Sequence, residues 1–437
     1  MSKSLSFQEH ARTRIPGMTQ LLSKRPDMYS LDVWPAYYSK AKGAAVWDLD
    51  GKKYLDMSIG GIGACVLGYA DDEVDGAVIE AIRNGVASSL NCPEEVELAE
   101  ELCALHPWAD MARFTRGGGE ALSVAVRIAR AHTGRDVVAF CGYHGWSDWY
   151  LAANLAEDSA LDGHLIQGLQ PAGVPRSLLG SCYPFRYNHL DELKAIVAKH
   201  GKQLAAIVME PVRSAMPEPG FIEGVRTIAD ETGAVMIVDE VSAGFRYCAG
   251  GAHLVLHKVT PDMAVFSKAL GNGYAIAAVI GRENVMQAAQ NTFISSTNWT
   301  ERVGFTAGLA CIRAYKQRKP YEKFSVMGKT VKQAWVDLGT KHGFSAHSGG
   351  MDAMSHFSFD LPDFLVYKAY FIQCMLELGI LASDNCYLMD AHTDTDVKKY
   401  LAACDQAFAQ LAEARDKGDI RSRLRGAPAV SGFKRLA

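Results

Sequence analysis

The chain has 437 residues, 49% of them hydrophobic and 22% charged, which is enough for a large core and, by length, about two domains. A net charge of −4 leaves no basic field for nucleic acid, and no stretch approaches the roughly 20 apolar residues that span a bilayer, so neither nucleic acid nor membrane is an expected partner. The ten cysteines are scattered, without a C-x-x-C pair or Cys/His spacing of metal ligands, and read as reduced thiols of a cytoplasmic protein that holds no metal.

Residues 1 to 18 are polar and lack the apolar core of a secretory signal. Residues 45–48 and 53–56, joined by Leu49-Asp50-Gly51, predict a hairpin. Asp48-x-Asp50-Gly51 is turn chemistry rather than a calcium loop, because the later ligands are missing. Gly60 to Gly68 lacks dinucleotide-loop spacing and reads as a loop of close backbone approach. From Val74 onward helix and strand patterns alternate. Helices are predicted at 74–84, 94–106, 120–132, 190–200, 220–233 and 285–290. Strands are predicted at 137–140, 206–209 and 275–280, and in the apolar runs that end at Asp239 and at Ser267. This alternation implies a mostly parallel sheet with helices on both faces. After about Arg302 long helical patterns with short strands near 354–359 and 379–382 suggest a smaller α/β domain. The expected divisions are an N-terminal segment 1–74, a large domain 75–305 and a small domain 306–437. The basic tail from Asp416 reads as a docking arm or a loosely ordered end.

The chemistry gathers at the ends of the predicted strands, where open α/β sheets bind ligands. One apolar run ends in Asp239-Glu240, and another, 29 positions on, ends in Ser267-Lys268 and a glycine-rich turn. A carboxylate and an amine delivered together suit pyridoxal phosphate (PLP): the lysine forms a Schiff base with its aldehyde, and the aspartate pairs with its pyridine nitrogen. Either motif alone is equally a solvated loop. Arg116-Gly117-Gly118-Gly119 opens a helix, whose exposed N–H groups and dipole suit a phosphate. Gly142-Tyr143-His144-Gly145-Trp146 follows a strand and offers Tyr143 to stack on a planar ring; His144 is as readily a satisfied hydrogen-bonding residue. Glu210 and Arg213 follow another strand, Glu210 for a ring substituent or the substrate amine, Arg213 for a substrate carboxylate or phosphate, with surface ion pairs as the plainer alternative.

Together, Asp239-Glu240-Val241-Ser242-Ala243-Gly244-Phe245-Arg246, Ser267-Lys268, Tyr143-His144-Gly145 and Gly118-Gly119-Glu120-Ala121 resemble the fold-type-I PLP enzymes of the class-III aminotransferase group, in particular its glutamate-1-semialdehyde aminomutase-like branch. The resemblance covers about residues 30 to 415. It implies a seven-stranded, mostly parallel sheet in the large domain, Lys268 as Schiff-base lysine and proton carrier, and Asp239 on the pyridine nitrogen. It also implies Val241 and Tyr143 on the two ring faces, His144 and Glu210 beside the cofactor, Gly118 and Gly119 on the phosphate, and Thr297 completing that site across a homodimer. Ile62, Trp146 and Arg213 fall at substrate-side positions. The chain departs from the pattern at Gly119, where the group carries Ser or Thr, and Arg116 stands where it could compensate. Ile62 replaces the tryptophan of true aminomutases, and segment 383–390 lacks their glutamate. The expected activity is therefore an aminotransferase moving an amino group from a small amine or amino acid donor to a carbonyl acceptor, sugar-like or a secondary-metabolite precursor. The alternatives are an aminomutase and a PLP-binding protein without turnover.

Overall fold

The computed structural model describes residues 2–157, 159–164, 166–212, 215–257 and 259–433. They form two compact units, one of residues 72–321 and one of residues 1–71 with 322–437.

The 72–321 unit is built on seven strands: β1 (Met111–Thr115), β2 (Val137–Cys141), β3 (Cys182–Pro184), β4 (Leu204–Met209), β5 (Val235–Asp239), β6 (Met263–Phe266) and β7 (Ala277–Gly281). Their order across the sheet is β1-β7-β6-β5-β4-β2-β3. Pairs β2–β3, β2–β4, β4–β5 and β5–β6 are parallel, and β7 runs antiparallel to both β6 and β1. The expected mostly parallel α/β sheet is present. Strands β2 and β4 to β7 are buried along their whole length, as strands covered on both faces must be.

The pleat divides β2, β4 and β5 between two cores. Val138, Phe140, Val208, Val235, Ile237 and Val265 face the helix Gly118–Thr133, whose Ala121, Leu122, Ala125, Ile128 and Ala129 lie on one stripe. Val137, Ala139, Ile207, Met209, Met236 and Val238 face the helices Leu190–His200 and Phe221–Thr232 through Leu193, Phe221, Val225 and Ile228. Asp239 therefore shares the face of Val235 and Ile237, beneath the Gly118–Thr133 helix. That helix stops at Gly134, whose φ of 65° is the left-handed stop glycine tolerates best. The predicted helix 285–290 is instead a short α turn, Glu283–Met286, continued as a 3₁₀ turn to Asn291.

In the other unit the predicted hairpin, Ala45–Asp48 with Lys53–Asp56, gains Tyr38–Lys42 on one side and Ile380–Leu381 in parallel on the other. The chain's two ends thus share one core, which the sequence alone keeps apart. A second sheet pairs Ala346–Met351, Met354–Phe359 and Asn385–Tyr387. Phe357, Phe359, Phe371 and Phe408 cluster between it and the helices Phe364–Glu377 and Asp394–Lys417. Residues 425–430 of the tail are docked: Val430 N–H donates to the Asp27 carbonyl, and Arg425 N–H to Gln373 Oε1. Gly68 confirms a close approach, since a Cβ there would lie 2.6 Å from Cβ of Ala391.

Candidate active site

The 72–321 unit brings the predicted groups to one rim of its sheet. Strand β1 is antiparallel to β7, which is antiparallel to β6, so β1 ends at the same edge as the parallel strands. There β5 ends in Asp239, and the segments after β1, β2, β4 and β6 deliver Gly118, His144, Glu210 and Lys268.

Asp239 is the last residue of β5 and is buried. Its Oδ1 accepts the Val241 N–H at 2.9 Å, and its Oδ2 lies 2.7 Å from Nδ1 of His144. His144 is fully buried, and its Nε2 faces the Cys141 carbonyl at 3.1 Å. A carbonyl only accepts, so Nε2 carries its proton, and the pair holds one further proton between Nδ1 and Oδ2. His144 thus orients Asp239 from behind, a role its sequence position did not separate from that of a satisfied core histidine. Each carboxylate oxygen keeps a lone pair for a cation at the rim.

Lys268 follows β6 with a φ of 44°, a left-handed conformation that a bulky side chain adopts at a cost of about 1–3 kcal/mol. Its Nζ donates to Ser242 Oγ at 2.6 Å. In the sequence, the only signal for Ser242 is its place in the strand-end motif, three residues after Asp239.

The glycines form the third wall. Helix Gly118–Thr133 has no side-chain cap at its start, so its leading N–H groups face the rim. A Cβ on Gly118 would lie 2.9 Å from a methyl of Val241, and one on Gly145, at φ 99°, 2.8 Å from Cα of Gly119. Side chains at these positions would force the two loops apart. Arg116 does not reach into this cradle. Its Nε donates to the Asn298 carbonyl at 2.7 Å, Nη1 to the Ala275 carbonyl at 3.3 Å, and Nη2 to the carbonyls of Trp299 and Glu301. The guanidinium also lies over the Phe305 ring at 5.1 Å. It braces segment 298–301, so the expected compensation for the missing hydroxyl at Gly119 is not what Arg116 supplies.

The remaining predicted residues fall as follows. Tyr143 is half-buried, and its N–H donates to Oε2 of buried Glu210 at 3.3 Å. Trp146 is exposed, with its ring against Gly119. Thr297 is exposed and opens the 3₁₀ turn Thr297–Thr300. Ile62 belongs to the other unit and adopts a φ of 62°. Arg213 lies outside the described residues. Glu240, next to Asp239, is buried among protein groups: it accepts from the N–H groups of Ala252 and His253, and its Oε1 lies 2.7 Å from Nδ1 of His253. Trp108 Nε1 donates to Nε2 of that histidine at 3.0 Å. His106 stacks on it and is pushed down to about 4 by burial. Among the described residues no group of three or more His, Cys, Asp and Glu is arranged to hold a metal ion.

The model of the aminotransferase class-III family matches residues 29–405. The chain belongs to the class-III aminotransferases. This aminotransferase is 30% identical over 424 residues to the 3-aminobutyryl-CoA aminotransferase of Cloacimonas acidaminovorans (strain Evry), covering 94% of this chain and 98% of that one. Its structure is similar to that of the FumI protein of Sphingopyxis sp. MTA144 in its PLP internal aldimine form, with a TM-score of 0.85, 26% identity and coverage of 98% and 99%. An omega-transaminase from Sphaerobacter thermophilus is similar at TM-score 0.82, 26% identity and coverage of 94% and 98%. The enzyme is a fold-type-I, PLP-dependent aminotransferase, as the strand-end motifs implied. Its residues fit that cofactor. A buried carboxylate with spare lone pairs, an amine and an uncapped helix start are the kinds of group that a pyridine nitrogen, an aldehyde and a phosphate would require, and the close loop contacts leave no room for side chains at Gly118 or Gly145.

Proposed function

We propose that Lys268 is the amine to which the cofactor is attached and the group that carries the proton during amino transfer. The observation that carries this reading is the convergence of Lys268, Asp239 and the Gly118 helix start on one rim of the sheet. When bound, PLP supplies an aldehyde that bonds to amines and a ring that takes up the electron pair left when a carbon loses its proton. Asp239 sets negative charge against the ring nitrogen, held in place by the Val241 N–H and by His144. The N–H groups of Gly118 and Gly119 bind the phosphate, with the helix dipole adding to their pull. Tyr143 and Val241 would close the two ring faces, and Glu210 fixes the Tyr143 loop through its backbone N–H. Nζ of Lys268 would take the proton from the amine-bearing carbon of the donor and deliver it to the carbon on the other side of the amine nitrogen, a 1,3-shift in which one group serves as base and then as acid.

We further propose a homodimer in which Thr297 of the partner subunit completes the phosphate site. Support comes from the exposed position of Thr297 and from the exposed apolar side chains of Leu90, Trp146 and Phe293 in the same unit. We assign the enzyme to the cytoplasm, on the strength of ten cysteines of which none forms a disulfide. Among the described residues no helix is long and apolar enough to cross a membrane. For the donor we propose an amine on the third carbon of an acyl chain, as the name of the Cloacimonas relative states for that enzyme. The test is the first half-reaction of the loaded enzyme with 3-aminobutyryl-CoA, 3-aminobutyrate, glutamate and alanine, followed by loss of the visible absorbance band. Fastest conversion by a 3-amino acyl donor is expected. Faster conversion by alanine or glutamate than by both 3-amino compounds would reject the donor class and leave the Lys268 reading standing.

A further inference from the structure

We infer that Ser242 is a further catalytic residue, the hydroxyl that holds the reacting amine of Lys268 through both of its protonation states. The inference rests on the proposed role of Lys268 as proton carrier. It starts from the hydrogen bond of 2.6 Å between Nζ of Lys268 and Oγ of Ser242.

Both partners are fixed at the ends of adjacent strands. Asp239 and Val265 are in register across β5 and β6, and the Glu240 N–H donates to the Val265 carbonyl at 2.8 Å. Ser242 sits in the turn that follows. The Val241 N–H is tied to Asp239 Oδ1 at 2.9 Å, and the Gly244 N–H to the Glu240 carbonyl at 2.8 Å. Glycine is required at the exit of this turn: a Cβ on residue 244 would lie 2.7 Å from the Glu240 carbonyl oxygen and 2.9 Å from the Phe266 ring. Opposite, the positive φ of Lys268 and the 3₁₀ turn Lys268–Gly271 set the direction in which the long side chain leaves the backbone. A serine on a locked turn and a lysine on a strained one thus meet at a single point.

A hydroxyl suits that point in a way other side chains do not. It has two lone pairs and one proton, so it accepts an N–H from the ammonium form of Lys268 and rotates to donate to the free amine. A lysine that removes and returns a proton passes through both forms in every turnover. A carboxylate in place of Ser242 would hold Nζ as ammonium, and a methyl would remove this hydrogen bond. Ser242 therefore keeps Nζ in reach of the reacting carbon without fixing its charge.

The test compares wild type, Ser242→Ala and Ser242→Thr, each loaded with PLP and each first checked by borohydride reduction and peptide mapping. Label on Lys268 in all three keeps the two ideas separate, since label elsewhere removes the lysine assignment rather than the serine one. The half-reaction is then followed by absorbance with an amino donor, unlabelled or deuterated at its amine-bearing carbon. Ser242→Ala should slow the half-reaction by about tenfold to a hundredfold, raise the hydrogen isotope effect and leave donor affinity unchanged. Ser242→Thr, which keeps the hydroxyl, should recover most of the rate. In the apo-protein, the pH profile of Lys268 acylation, read by mass spectrometry, should move in Ser242→Ala and not in Ser242→Thr. Wild-type rate and isotope effect in Ser242→Ala overturn the inference, as does a Ser242→Thr protein that melts normally but is as slow as Ser242→Ala.

Discussion

Replacing Asp239 by asparagine tests the electrostatic part of the site almost in isolation. The amide oxygen can take the place of Oδ1 and accept the Val241 N–H at 2.9 Å, while the amide nitrogen faces Nδ1 of His144 across the present 2.7 Å contact. His144 then carries a single proton, on Nε2 against the Cys141 carbonyl, and accepts from the amide, so every hydrogen bond is kept. What disappears is the negative oxygen available to a cationic ring nitrogen. Loss of one such pre-positioned electrostatic group in a buried site costs about 3–4 kcal/mol of transition-state stabilisation, a rate loss of about a hundredfold to a thousandfold. The assay is the first half-reaction under single-turnover conditions, with thermal unfolding of the same preparation as the control. Unchanged melting with a loss of this size is expected. Near-native rates would mean that the ring nitrogen is charged by other means, and the role given to Asp239 would fall.

The same reasoning gives three further expectations. Burial holds His106 at about 4, below its ordinary 6.5, so the unfolded chain takes up the proton first and stability drops as pH falls from 6.5 towards 4. About 2 kcal/mol should be lost between pH 7 and 5 in urea unfolding, and His106→Gln should remove that part of the slope; an unchanged slope contradicts the buried neutral state. A Cβ at Gly304 would lie 2.0 Å from Arg116 Nη1 and 2.7 Å from the Ala275 carbonyl, so Gly304→Ala should displace the guanidinium, cost about 1–3 kcal/mol and speed amide exchange across 298–301. Unaltered exchange there would show that Arg116 does not brace the segment. Mixing inactive Lys268→Ala chains with Thr297→Ala chains should give hybrid dimers with one intact site and activity above either parent; no gain on mixing contradicts the shared site.

The parts of the fold visible in the sequence are those that burial writes into local pattern. Strands β2 and β4 to β7 are unbroken apolar runs because both faces are covered, and their ends carry Lys268, Asp239 and Tyr143 in full view. Edge strands β1 and β3 escaped notice for the opposite reason: β1 carries Arg113 and is half-exposed over most of its length, and β3 has three residues, one of them proline. Contacts between distant segments leave no local trace. The pairing of Ile380–Leu381 with Lys53–Asp56, the clasp of Arg116 on 298–301, and the bonds of His144 to Asp239 and of Lys268 to Ser242 all depend on the folded sheet. The family motif supplied the cofactor and singled out Asp239; the geometry adds that its neighbour Glu240 is spent on His253 and the backbone.

The most direct test of the central claim, that Lys268 is the amine joined to the cofactor, is borohydride reduction of the loaded enzyme followed by peptide mapping. One labelled peptide is expected, with the phosphopyridoxyl group on Lys268, and none in Lys268→Ala. Label on another lysine, or undiminished labelling of Lys268→Ala, would contradict it.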